Sequence, residues 1–214
     1  MRVVLAYLLI WLLVTSVRPA REIVARQFSR LPGAMRGRFW LGALAGVILV
    51  AVNGMLLLWI GAVTVSPSYP VSVGAILLAV AFAALVAATE EMLVRGLLLT
   101  RLRELSTTAV AVIATSVVFA LMHVGRGDFS LATTTQYFVD GLLLAWMALV
   151  TSDIWMATGF HFAKNLGVYF LFGGSRHLLP PFLTSPPPAP WADVLSYALI
   201  VPLVWVLLSG RIRA

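Results

Sequence analysis

Residues 71–100 read VSVGAILLAVAFAALVAATEEMLVRGLLLT, and their reading decides the fold. The stretch opens with nineteen residues that carry no ionisable group, then places Glu90, Glu91 and Arg95 in the same apolar run. A spanning helix needs about 20 mostly apolar residues because the hydrocarbon core is about 30 Å thick. The stretch is therefore read as a transmembrane helix. Its ionisable residues each cost about 2.5–3.5 kcal/mol on insertion scales, which makes each a functional candidate.

Further apolar runs lie on either side, at about 3–17, 39–65, 108–124, 133–152, 154–172 and 191–209. With 71–100 they predict an all-α integral membrane protein, a polytopic bundle of about seven transmembrane helices. Composition agrees: 61% of the 214 residues are hydrophobic and 11% are charged, against about 25% charged in soluble domains. That excludes a soluble globular domain, a disordered chain and a nucleic-acid binder. The net charge of +7 does not point to a polyanion, because 14 of the 15 basic residues are Arg and most lie between apolar runs. There is no cysteine, hence no disulfide framework and no thiolate chemistry.

Charge placement sets the expected topology. The 18–38 connection holds Arg18, Arg21, Arg26, Arg30, Arg36 and Arg38, so the positive-inside rule makes it cytoplasmic. Arg101, Arg103, Arg211 and Arg213 then fall on the same side, while Arg2, Arg126 and Arg176 fall on the other. The N-terminus is read as outside and the C-terminus as inside, in a bacterial cytoplasmic membrane. The first run has the look of a signal peptide, but no small-x-small cleavage site follows it, so it is read as retained. Residues 66–70 form an uncharged turn, and the prolines of 180–190 an extended outer loop.

Helical spacing sorts the polar residues. Glu91 and Arg95 are i,i+4 with the acid first, the better order for a helical ion pair. Glu90 points about 100° away from Glu91 and has no basic partner on its own face. Phe119 shares a face with His123, and His161 shares one with Asn165. A hairpin turning near Ser106-Thr107 brings Glu90 level with His123. At 1.5 Å per residue Glu90 lies about 16 Å from Arg101, and His161 about 12 Å from Asp153. Three helices thus hold Glu90, His123 and His161 at similar depth.

These motifs, in this order and on separate hydrophobic helices, resemble the CAAX protease and bacteriocin-processing (CPBP, or Abi) family of intramembrane endopeptidases, related to the type II CAAX prenyl proteases. Its pattern is E-E-x-x-x-R, then F-x-x-x-H, then H-x-x-x-N or D. Glu90, Glu91, Arg95, Phe119, His123, His161 and Asn165 match at every position. The resemblance covers about 71–172, which it marks as the catalytic core. Residues 1–70 are flanking helices with a basic loop, and 173–214 a Pro-rich loop and C-terminal helix. It implies a peptidase with a catalytic cavity inside the membrane and a membrane-associated protein or peptide as substrate.

Peptide hydrolysis without a serine or cysteine nucleophile needs an activated water, an oxyanion stabiliser and an acid for the leaving amine. Glu90 is assigned the base, with His123 holding the water or passing its proton. His161 and Asn165 are assigned as oxyanion donors. Glu91, held by Arg95, and Phe119 support them. Glu90, His123 and His161 could also form a His₂Glu set for zinc or another divalent ion. The chain lacks H-E-x-x-H, so no obligatory metal or other cofactor is assigned and the zinc-dependent protease remains the alternative.

A second alternative is a non-proteolytic scaffold or bacteriocin self-immunity protein. A proton-coupled transporter would favour repeats with matched halves, and none is visible. Asp140 is read as structural, paired with Lys164 or a backbone group, and His177 as a solvated surface residue. Gly125-Arg126-Gly127-Asp128 matches the G-x-G-D string of aspartyl intramembrane proteases, but every Asp lies at 128 or later, so no earlier partner completes a dyad. Gly173-Gly174-Ser175 lacks the strand-turn-helix context of a serine nucleophile.

Overall fold

The computed structural model describes residues 32–66, 70–123, 130–173 and 179–184, together with positions 9, 16, 22, 25 and 202. The runs at 3–17 and 191–209, the Gly125–Asp128 string, His177 and most of the proline-rich loop lie outside the described residues. Those that are described form mostly helix. Element α1 is Pro32–Trp59 and β1 is Thr64–Val65. Element α2 is Val73–Glu91, continued by a π-helical segment Met92–Leu99 and by α3, Thr100–Leu105. Then come α4, Thr108–Leu121; α5, Leu131–Thr151; α6, Trp155–Phe172; and β2, Leu183–Thr184.

Local chemistry accounts for the boundaries. Ser72, Thr107 and Ser130 each accept a hydrogen bond from the backbone N–H three residues on, capping α2, α4 and α5. Helix α1 starts at Pro32, where a missing N–H costs nothing, so Arg36 and Arg38 belong to the helix rather than to a connection ending at 38. It stops at Trp59, six residues short of the apolar run, and Gly61 follows with φ +70°. Among the described residues, two helices are long and apolar enough to cross a membrane by themselves, Arg36–Trp59 and Val73–Leu105. Helix α4 has 14 residues, about 21 Å at 1.5 Å per residue, shorter than the hydrocarbon core.

Between helices in lipid there is little hydrophobic drive, so association relies on close packing at small residues. Helices α1 and α6 run parallel and nearly touch at their backbones. A Cβ on Gly42 would strike the Met156 carbonyl, one on Gly46 would come 2.6 Å from the Phe160 carbonyl, and one on Gly159 would strike the Phe39 carbonyl. Val50 fills the notch at Gly167. At the start of this seam Arg38 is hydrogen-bonded to the Thr151 carbonyl and paired with Asp153. Helix α5 meets α4 in the same way, with Gly141 against the Ser116 backbone. Helix α2 runs antiparallel to α6, joined at one end by Phe82 and Tyr169, whose ring centroids are 6.2 Å apart.

Leu49, Val94, Phe119, Leu144, Met147 and Phe160 form the dry centre where α1, the π segment, α4, α5 and α6 meet. The outer surface is apolar: Leu44, Val47, Leu77, Leu78, Val110 and Ile113 are exposed. Trp40 and Trp59 on α1 are 64% and 84% exposed. Their 19-residue separation is about 28 Å along the helix, the spacing of two interfacial aromatic belts. At the Trp59 end, β1 pairs antiparallel with β2, Thr64 opposite Thr184 and Val65 opposite Leu183.

Candidate active site

Glu90 and Glu91 end α2, and both are 0% exposed. Directly after them the chain widens into the π segment. Such segments are rare and occur often at functional sites. Arg95 sits inside it, 2% exposed, and every contact it makes fixes its neighbours. Its Nη1 donates to Glu91 Oε1 at 2.9 Å and its Nη2 to the Gly141 carbonyl at 3.1 Å. Its guanidinium carbon lies 4.5 Å from the centroid of the Phe119 ring, a cation–π contact in a desolvated setting.

Glu91 does more than balance Arg95. The same Oε1 lies 2.9 Å from Nδ1 of His161 on α6. A carboxylate that already accepts from a guanidinium is an acceptor here, so the proton belongs to His161 Nδ1. His123 is oriented in a parallel way. It lies just past the last residue of α4, and its Nδ1 is 2.8 Å from the Phe119 carbonyl. A carbonyl only accepts, so His123 Nδ1 carries a proton as well.

With both Nδ1 atoms committed, the two rings turn their Nε2 atoms elsewhere. Both aim at the same atom: Glu90 Oε2 lies 3.8 Å from His123 Nε2 and 3.8 Å from His161 Nε2. A carboxylate oxygen from α2 and two imidazole nitrogens, from the end of α4 and from α6, thus converge in a buried setting. An oxygen atom about 2.8 Å from two groups spaced in this way subtends roughly 85°, so each separation is one that a single water can bridge.

The donor set suits zinc chemically, since each imidazole is oriented through its other nitrogen. The spacing suits it less, because ligands on a tetrahedral zinc with bonds of 2.0–2.1 Å are about 3.3 Å apart. Among the described residues no group of three His, Asp or Glu side chains closes to metal-binding geometry.

Of the residues singled out from sequence, Glu90, Glu91, Arg95, Phe119, His123 and His161 come together. Asn165 lies one turn beyond His161 on α6, half-buried. Asp140 is placed as a structural acid: Lys164 Nζ reaches its two oxygens at 2.8 and 2.6 Å, joining α5 to α6. Phe119 is central rather than peripheral, with its ring centroid 4.7 Å from that of His123 and 5.8 Å from that of His161.

Tyr137 of α5 escaped notice in the sequence. Its ring stacks on His123 with centroids 4.1 Å apart and planes 24° from parallel. Its signal was present: Tyr137 is i,i+4 from Gly141 and so shares the face of α5 that meets Arg95 and Ser116.

A buried carboxylate thus faces two oriented imidazoles, on helices with apolar outer faces. Residues 72–167 match the family model described as Rce1-like, type II CAAX prenyl endopeptidase. Over this segment the chain is similar to that family, whose members are membrane-embedded peptidases. The matched span, somewhat under half of the chain, runs from the N-cap of α2 into α6 and contains all seven motif positions. Helix α1, packed along α6, lies outside it. No curated protein and no solved structure matches the chain.

Proposed function

We propose that the chain is an intramembrane endopeptidase that cleaves a membrane-associated protein or peptide with a water activated by Glu90. The observation that carries this reading is the approach of Glu90 Oε2 to Nε2 of both histidines at 3.8 Å. A water held there gives one proton to Glu90 as its oxygen attacks the peptide carbonyl. Protonated Glu90 then returns that proton to the leaving amine, and His123 keeps the water aimed throughout. Oxyanion stabilisation falls to His161 and Asn165. Because His161 Nδ1 donates to Glu91, its Nε2 donates only in the doubly protonated ring, which the Glu91 carboxylate faces. Loss of one oxyanion donor costs about 10²–10³ in rate.

The chemistry of the donor set, a carboxylate and two imidazoles each oriented through its Nδ1, supports a second reading, the zinc-dependent form of the same protease. Glu90, His123 and His161 would hold the ion, which would polarise the carbonyl and acidify a bound water.

Purified protein in detergent, given a quenched fluorescent farnesylated CAAX peptide and an unprenylated transmembrane peptide, tests both. Cleavage of either substrate that survives stringent chelation and disappears in Glu90→Gln supports the metal-free reading. Loss on chelation with recovery on adding Zn²⁺ supports the second. If Glu90→Gln equals the native protein on whatever is cut, the peptidase assignment of this site fails, and a scaffold or immunity role becomes the better account.

A further inference from the structure

His123 needs more support than its position in the chain supplies. It follows Met122, the C-cap of α4, and its backbone N–H bonds to Ala120 in a tightened final turn. A ring at a helix end has fewer neighbours on its own helix than one in mid-helix. Yet its Nε2 must keep its direction towards Glu90 to within a fraction of an ångström, since misplacement by about 1 Å can cost 10²-fold in rate.

A column of flat groups supplies that support. The Arg95 guanidinium covers the Phe119 ring at 4.5 Å, Phe119 meets His123 at 4.7 Å, and His123 stacks on Tyr137 at 4.1 Å. The four groups come from the π segment, α4, the turn after it and α5. One end is anchored by the Arg95–Glu91 pair, and the other ends on Tyr137. Tyr137 is half-buried and packs on the central apolar cluster.

We propose that Tyr137 is a positioning residue for His123. Its ring stacks on the imidazole at 24° from parallel, whereas the Phe119 ring meets the imidazole tilted by 48°. The proposal rests on the catalytic reading of His123 for its effect on rate, but not for its effect on the imidazole. The face of the ring does the work, so a phenyl ring at this position should substitute for it. Leucine fills similar space without a flat surface and should not. Loss of one aromatic stack corresponds to about a two- to twelvefold effect.

The full-length protein in detergent micelles, labelled with ¹⁵N-histidine, gives a readout independent of activity, because the chain has only three histidines. His123→Gln assigns the His123 signal. At one fixed pH, native protein and Tyr137→Phe should show His123 as a single Nδ1-protonated tautomer, and Tyr137→Leu should show averaged tautomers. On the farnesylated peptide or the transmembrane peptide, whichever is cut, Tyr137→Leu should lower kcat about tenfold and leave KM within about twofold. Tyr137→Phe should restore the native rate.

An unchanged His123 signal in folded Tyr137→Leu overturns the proposal. So does equal loss of signal in Tyr137→Phe and Tyr137→Leu. If Glu90→Gln cleaves as well as native protein, the peptidase reading fails, and the NMR comparison still decides the role of Tyr137.

Discussion

Glu91→Gln separates two jobs that one oxygen performs. Glu91 Oε1 accepts from Arg95 Nη1 at 2.9 Å and from His161 Nδ1 at 2.9 Å. Neutralising Glu91 leaves a guanidinium that is 2% exposed without its counter-ion. Breaking a buried pair from one side costs about 3–5 kcal/mol. For a chain of this size that corresponds to a fall of about 6–20 °C in Tm. The same change lets His161 choose its tautomer, which should lower kcat about 10²-fold. The double variant Glu91→Gln, Arg95→Met removes the stranded charge and should recover most of the Tm, since replacing both partners by uncharged groups is often near neutral. Its kcat should stay low, because no carboxylate accepts from His161 Nδ1. Thermal unfolding in detergent, paired with cleavage of the substrate that the native protein cuts, reads both. Recovery of kcat together with Tm in the double variant would refute the orienting role of Glu91 and leave it only as the partner of Arg95.

Four other outcomes follow from the packing. Asp140→Asn should destabilise by about 3–5 kcal/mol through the stranded Lys164 ammonium, whereas Asp140→Asn with Lys164→Met should recover stability and keep cleavage within a few-fold, as measured by unfolding and kcat. Gly159→Ala should cost about 1–3 kcal/mol, because the added Cβ meets the Phe39 backbone carbonyl. Gly37→Ala, with nothing within 4 Å of its Cβ, should be neutral or stabilising by up to about 1 kcal/mol in the same unfolding assay. Phe119→Leu should lower kcat about tenfold, since it removes the plate shared by Arg95, His123 and His161.

The membrane character and the site cluster were legible in the sequence for one reason: ionisable groups inside apolar runs are costly, so few occur and those that do stand out. Counting from the Ser106-Thr107 turn puts Glu90 level with His123, counting from Asp153 adds His161, and the helices break at both places. The tight seam of α1 on α6 was harder to see. Gly42 and Gly46 form a small-x-x-x-small pair that carries no charge to draw attention, and α1 lies outside the motif-bearing segment. The π segment was invisible because its composition, MLVRGLLL, is that of any apolar helix, and the π geometry depends on hydrogen-bond spacing rather than on residue type. Tyr137 was passed over because an aromatic on a membrane helix reads as packing until its neighbour is known to be His123. Likewise, the start of α1 at Pro32 was hidden by the arginines around it, which mark a cytoplasmic edge equally well as loop or as the first turns of a helix.

The central claim is that Glu90 does chemistry with His123 and His161, and terminus mapping of native membranes tests it most directly. Membrane fractions from cells making the native protein, Glu90→Gln or His123→Gln should be compared for new protein N- and C-termini, with all three proteins present at equal levels. At least one terminus should be found with the native protein and be missing from both variants. The same termini in all three fractions would contradict a hydrolytic role for this carboxylate and these imidazoles.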